Sequence, residues 1–247
     1  KAEQEVQSDS RATVQILGQS LGNTLDKIDY ALQVTNEEVQ HKHNERVDRQ
    51  SLQQFIIRQF SRLPELENIL ITDAKGMVLL GSGHIPASPL TIADREYFTY
   101  LRDHPMAKMV VFKPVVGRLS NRWVIPCARR INLSDNRFGG VTVAMLPLQY
   151  VTDLFSKASL VKNGSVCLRA ANNLELLVRY TPQKQDIVLQ RDVSTWISSD
   201  WQQKLAKGET GSGDYRAVSA VDGVKRSYSY RLLQPYRLYL NVGLAED

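Results

Sequence analysis

Apolar residues recur at steps of three and four along the first part of the chain: Val14, Leu17, Leu21, Leu25, Ile28 and Leu32. Such steps fall on one side of a helix with 3.6 residues per turn, and polar residues fill the other positions. The pattern predicts one long helix with a narrow apolar stripe, uninterrupted until past Val39. A periodic segment of this length serves either as a spine for material packed along it or as a seam between two chains. The polar stretch HKHNERVDRQ (residues 41–50) reads as a break. A second helix follows, with Leu52, Phe55, Ile56, Phe60 and Leu63 inward. It ends before Pro64, because proline disfavours the helical conformation of the residue in front of it.

The pattern then shifts toward short apolar runs separated by turn residues. ENILITDAKGMVLLGSG (residues 67–83) reads as a strand, a turn at residues 73–76 and a second strand. SPLTIADREYFTYLRDHP (residues 88–105) reads as a loop and a short helix ending before Pro105. AKMVVFKPVV, NRWVIPCARRI and FGGVTVAML read as three strands, with GRLSN and NLSDN as the breaks between them. After an amphipathic connector, PLQYVTDLFSKASL, the same plan returns. GSVCLRAANNLELLVRY gives a hairpin turning at Asn172 and Asn173, and DVSTWISSDWQQKLAKG gives a helix capped by Asp192 or Ser194 and closed by Gly208. Three strands follow, with a turn at Asp222 and Gly223. A hairpin, a helix and three strands therefore occur twice, which predicts an α+β fold built by internal duplication. The expected division is a helical spine over residues 1–63, a first unit over 64–147, and a linker helix with a second unit over 148–247.

Composition narrows the function. The chain has 247 residues, 43% of them hydrophobic, which is enough for real cores and argues against global disorder. The formal net charge is +5, but Lys and Arg are scattered among acids, with no basic tract interleaved with aromatics, so no nucleic-acid partner is expected. No apolar run is long enough to span a bilayer. The first residue is Lys1, which suggests a processed or excised piece of a longer protein. Cys127 and Cys167 fit no zinc or redox spacing and read as buried thiols, a disulfide being the alternative.

The chemistry of an enzyme is not apparent. No phosphate-binding loop with its lysine occurs, and the Gly-rich GSGHIP and GETGSGD read as turns. No nucleophile elbow is present. His41 and His43, two apart on a helix, cannot share a metal. Neither a cofactor nor a metal is expected, and the chain reads as non-catalytic.

One stretch stands out, ADREYFTYLRD at residues 93–103. Asp94 is a plausible N-cap for a short helix. On that helix Arg95, Phe98 and Arg102 share one face, while Tyr97, Leu101 and His104 share another. A structural helix would bury Tyr97 and Leu101 and leave the arginines in water. A ligand-binding helix would use Arg95 and the aromatics to grip a carboxylate, since a guanidinium offers two parallel donors.

With a long helix and two repeated units laid out, the chain resembles the double Cache domain, the tandem PAS-like extracytoplasmic sensor of bacterial transmembrane receptors. The strings ADREYF (93–98), GRLSNRWVIPCARRI (117–131) and RFGGVTVAML (137–146) carry the resemblance. They look most like the version found in membrane-bound diguanylate cyclases of the GGDEF type. The C-terminal YRLYLNVGLAED is similar to the strand that leads into the second membrane helix of that group. The resemblance implies a periplasmic domain tethered to the inner membrane between two spans, with a cytoplasmic cyclase as output. A histidine kinase or chemoreceptor is the alternative output. A ligand-free dimerisation module, pairing along the stripe of the long helix, is the alternative function.

The resemblance also implies a ligand site in the first, membrane-distal unit. Amino-acid-binding members carry an Arg-x-aromatic-aromatic string at this helix start, matched here by Arg95, Tyr97 and Phe98. The carboxylates that receive the ligand ammonium would lie near Gly117 and Met145, where no acid stands, and a Tyr that precedes the first of them is replaced by Val115. An unpaired buried ammonium is costly, so the expected ligand is a small organic anion rather than a free amino acid. Lys113, Arg118 and Trp123 on the neighbouring strands complete the expected binding set. The second unit lacks an equivalent string and reads as structural and transmitting.

Overall fold

In a computed structural model the described residues are 2–43, 48–158, 160, 163–183 and 197–245. By its internal contacts the chain forms two units, Thr24–Tyr150 and Lys1–Asn23 with Val151–Asp247. Helix α1 (Ala2–His43) contributes residues to both.

In the unit of residues 24–150, α2 (Arg49–Ser61) starts at Asp48, whose side chain accepts from the Gln50 N–H. Strands β1 (Asn68–Thr72) and β2 (Val78–Gly81) form the expected hairpin. Helix α3 (Glu96–Asp103) follows, then β5 (Trp123–Asn132) and β6 (Phe138–Pro147). The single strand expected from AKMVVFKPVV is broken into β3 (Val110–Val111) and β4 (Val115–Val116). Pro114 lies in the gap, where its missing N–H cannot continue a ladder. The antiparallel sheet runs β2-β1-β6-β5-β3, with β4 also on β5.

The other unit repeats this order. Helix α4 (Leu148–Ser156) leads into β7 (Ser165–Ala170), β8 (Leu176–Tyr180), α5 (Ser199–Ala206), β9 (Ser212–Val218), β10 (Lys225–Leu233) and β11 (Leu238–Ala245). Its sheet runs β8-β7-β11-β10-β9, so the duplication read from the sequence is present in the strand order, with the single β9 standing where β3 and β4 stand. Gly208 takes positive φ just past α5 and closes that helix as expected. The capping residues expected at Asp192 or Ser194 lie outside the described residues.

The stripe of α1 is spent inside the chain. Leu17, Leu21, Leu25, Ile28 and Leu32 are all buried, so it is not available as the seam of a homodimer through this helix. On α2, Leu52, Ile56 and the following Leu63 are buried as expected, but Gln59 takes a buried place while Phe55 and Phe60 are only half-buried. Both cysteines are buried free thiols, and burial pushes the Cys127 thiol up to about 12.

Strand β5 holds α1 on one side and α3 on the other. Successive side chains of a strand point to opposite faces. Ile125, Cys127 and Arg129 share the α1 side, where Arg129 pairs with Asp29. Val124 and Ala128 share the other side and pack with Tyr97, Phe98 and Leu101 of α3. Arg130, of the same parity, donates to the carbonyls of Leu101 at 2.9 Å and Arg102 at 2.5 Å, placing a cation on the last turn of α3. Asn36 of α1 completes the clamp, donating to the Arg130 carbonyl at 2.9 Å and accepting from the Thr142 hydroxyl at 2.7 Å.

Because Asn36 satisfies two buried groups at once, Asn36→Leu strands a carbonyl and a hydroxyl. The expected loss is about 2–4 kcal/mol of unfolding free energy in urea titration, against about 0.5 kcal/mol or less for Gln33→Ala on the exposed face of the same helix.

Candidate functional site

The candidate site lies between the entrance to α3 and the sheet of the unit of residues 24–150. The chain reaches α3 along a fixed path. Gly76, at φ +84° in the β1–β2 turn, packs so closely on Ala93 that a Cβ would lie 2.7 Å from its backbone, and the Ile92 N–H donates to the Gly76 carbonyl at 2.8 Å. A side chain at Gly76 would push the start of α3 away from the sheet.

Asp94 does not cap the helix. The N-cap is Arg95, in extended conformation and without a side-chain cap bond, because the Asp94 carboxylate is engaged by Arg118 at 2.5 Å. The hydrogen bond from Arg118 holds the Asp94 carboxyl below its ordinary range. Arg118 also donates to the Thr91 carbonyl, and Arg95 donates to the Val116 carbonyl at 2.9 Å. Two guanidinium groups thus tie the segment before α3 to residues 116–118.

Behind this latch is a small cavity of about 20 Å³. Six of the residues expected from sequence line it: Arg95, Tyr97, Val115, Gly117, Arg118 and Met145. Tyr97 is buried, and burial pushes its phenol up to about 12. It is a neutral hydroxyl at any ordinary pH.

Three expected residues lie elsewhere. Phe98 is buried in the core beside Phe138, ring centroids 5.4 Å apart and nearly perpendicular. Lys113 is exposed and pairs with Glu96 at 2.9 Å. Trp123 is 41% exposed at the start of β5. Its parity is that of Ile125, Cys127 and Arg129, so the alternation that groups these four residues turns them away from the cavity.

Residues not singled out from sequence complete the lining. Glu67 and Asn68 are the important ones, with Leu70, Leu90 and Ile92 supplying apolar wall. The Glu67 carboxylate is 8% exposed and accepts from the exposed Arg122 at 2.9 Å. Asn68 is buried, and its Oδ1 has no hydrogen-bond partner. The Glu67 N–H donates to the Met145 carbonyl, and Asn68 is in register with Met145. An acid thus stands beside position 145, at the residue just before β1. The available signal was the pair Glu67-Asn68 before an apolar run, with Asn68 two residues from the cavity-facing Leu70.

A larger groove of about 800 Å³ opens beside β2 and includes Arg49 and His84. Arg49 is already committed to the Leu79 carbonyl at 2.7 Å and Gln53 to the Gly81 carbonyl at 2.5 Å, so two of the groove's polar side chains are spent on backbone. The small cavity is the better candidate on chemistry despite its size. Among the described residues, no cluster of His, Cys, Asp or Glu is placed to hold a metal ion, and no helix is long and apolar enough to cross a membrane.

The Cache domain family profile matches residues 1–243. No curated protein matches the sequence. Among solved structures, the chain is similar to the extracellular domain of rpHK1S-Z16, described as a histidine kinase, at 24% identity and TM-score 0.77, covering 100% of this chain and 95% of that one. It is also similar to the ligand-binding domain of the Pseudomonas aeruginosa PAO1 amino acid chemoreceptor PctB in complex with L-Arg, at 15% identity and TM-score 0.67, covering 96% and 94%. A third similar structure is the ligand-binding domain of the Campylobacter jejuni chemoreceptor Tlp3 in complex with L-valine, at 10% identity and TM-score 0.64, covering 99% and 94%.

Raising the folded-state pKa of Tyr97 above the ordinary phenol value of 10.0 makes its contribution to stability intact below that pH and lost as pH rises toward about 12. In ultraviolet titration, Tyr97→Phe is expected to leave the native tyrosinate signal unchanged up to roughly pH 11, and to remove one tyrosine's worth when the chain is unfolded in guanidinium.

Proposed function

The chain belongs to the Cache domain family, extracellular sensor domains of membrane receptors, and from that premise we propose that the cavity behind the Arg95–Arg118 latch is its ligand site. The single observation that carries the reading is the unpartnered Asn68 Oδ1 in the same lining as Arg95 and Arg118. A buried acceptor without a donor costs free energy that a ligand can recover. The ligand is a small carboxylate that also bears a hydrogen-bond donor. Its carboxylate takes the arginines and the Tyr97 hydroxyl, and its amine or hydroxyl meets Asn68 and Glu67. With Glu67 at the wall, the objection to an ammonium group is removed, and α-amino acids join hydroxy acids in the candidate class. The amino acids bound by PctB and Tlp3 agree with that class.

At about 20 Å³ the cavity has room for little more than a water, so binding requires the latch to open. The ligand carboxylate replaces Asp94 on Arg118 and the Val116 carbonyl on Arg95. The movement is felt by α3 and, through Arg130, Asn36 and Arg129, by α1 on the other face of β5. That chain of contacts is the proposed signal route within this unit. In the proposed arrangement residues 64–147 are the membrane-distal ligand unit, 148–247 the proximal unit and 1–63 the spine. The chain is tethered to the inner membrane and faces the periplasm.

For the output, a diguanylate cyclase of the GGDEF type is supported by the string similarity of residues 93–98, 117–131 and 137–146. A histidine kinase or chemoreceptor is supported by the kinds of protein that share the fold.

Calorimetry against amino acids and hydroxy acids tests the site. Arg95→Ala is expected to weaken a confirmed ligand by roughly 10- to 100-fold, the value of a charged hydrogen-bonded contact, and unchanged affinity overturns the assignment. Glu67→Gln is expected to cost an amino acid about tenfold or more and a hydroxy acid little. In cells expressing the full-length protein, a ligand-dependent change in cyclic di-GMP that disappears with Arg95→Ala supports the cyclase output, and a change in histidine phosphorylation or swimming bias alone supports the alternative.

A further inference from the structure

The second repeat builds the same place under α5. By strand order β7 stands where β1 stands and β11 where β6 stands, so the space between α5 and its sheet corresponds to the cavity under α3. It holds a cavity of about 40 Å³. Among the described residues, five buried side-chain polar atoms have no hydrogen-bond partner, and three of them belong to residues lining this cavity: Ser198 Oγ, Trp201 Nε1 and Asn241 Oδ1. Trp201 is 1% exposed and Asn241 3%. Asn241 is oriented by its own Nδ2, which donates to the Tyr215 hydroxyl at 3.1 Å and leaves Oδ1 as the open acceptor.

Stacked rings and two arginines stand among the other lining residues. Trp201 and Tyr215 stack at 6.0 Å, Tyr215 and Tyr228 at 4.8 Å. Arg169 and Arg179 are both buried in the lining, and among the described residues no carboxylate lines it. Arg179 is held by Asp222, which also takes both terminal nitrogens of the buried Arg226. This pairing fixes the β9–β10 turn, whose residues 219–221 form part of the cavity wall.

We propose that this cavity is a second small-molecule site, for a carboxylate of two or three carbons bearing a hydroxyl. The carboxylate accepts from Trp201 Nε1–H and Ser198 Oγ–H on the arginine side, and the hydroxyl donates to Asn241 Oδ1. The volume admits roughly three or four non-hydrogen atoms before any side chain moves, so a ligand of about five or six such atoms enters with a small side-chain adjustment and larger ones are excluded. The proximal unit is then a sensor in its own right, and its site stands whether or not the distal reading does.

The test follows the Trp201 indole N–H in the 247-residue chain, labelled with nitrogen-15 on tryptophan and assigned by Trp201→Phe. Glycolate is the probe, with acetate lacking the hydroxyl and glycolamide lacking the charge. The expected result is a saturable shift of this resonance with glycolate. The apparent affinity is about tenfold weaker for acetate and for glycolamide, unchanged in Arg95→Ala, and at least tenfold weaker in Ser198→Ala and in Asn241→Leu. Arg95→Ala separates this site from the distal one, and Ser198→Ala covers the case in which the Asn241 variant does not fold. A resonance unmoved by all three probes, with a nuclear Overhauser contact to long-lived water, overturns the proposal and leaves the three atoms to ordered water. A shift that is unaffected by Ser198→Ala, or that vanishes in Arg95→Ala, overturns it as well.

Discussion

Strand β5 cannot serve its two neighbours independently, because a strand sends successive side chains to opposite faces. Its odd-numbered residues meet α1 and its even-numbered residues meet α3 and the cavity side. The half-buried ion pair with Asp29 and the cation on the last turn of α3 are made by adjacent residues, Arg129 and Arg130. Shifting the register by one would exchange these partners and present Cys127 to α3. Helix α3, whose N-cap is Arg95, and the part of α1 that carries Asp29 and Asn36 are therefore positioned by one backbone.

The duplicated plan gives each unit a chamber of the same origin but of different chemistry. Under α3 the wall combines arginines, a carboxylate and a single unpartnered amide oxygen. Under α5 it combines arginines with stacked rings and, among the described residues, has no carboxylate. Buried polar groups are normally satisfied, yet each chamber keeps at least one open, at Asn68 on β1 in the first and at the α5 N-cap Ser198, Trp201 on α5 and Asn241 on β11 in the second.

Much of the fold was legible because it rests on local rules. The three- and four-residue steps from Val14 to Leu32 gave α1, and turn residues such as Gly76 and Gly223 marked the hairpins, both with positive φ as those turns require. What failed was decided by competition between distant groups. Asp94 looks like a cap until Arg118, twenty-four residues on, takes its carboxylate. Trp123 looks like an aromatic wall until the parity of β5 turns it outward. Glu67 and Asn68 were invisible as site residues because their importance depends on β1 lying beside Met145, a pairing no local pattern encodes. The stripe of α1 was readable as apolar, but whether its partner was another chain or its own sheets was not.

The ion pair between Arg118 and Asp94 has a further consequence. A site closed in its resting state binds with an apparent affinity reduced by the fraction of molecules that are open. Asp94 touches no ligand in the proposed complex, yet the strength of its bond to Arg118 helps to fix that fraction. Specificity and detection threshold are then written in different residues: a change at position 94 would slide the response along the concentration axis without altering which molecules are recognised. Because the pair is partly exposed, with side chains 30% and 64% accessible, it is screened by dissolved salt. Salt would loosen the latch and the ligand's own grip on Arg118 together, so the threshold of such a receptor follows the difference between the two.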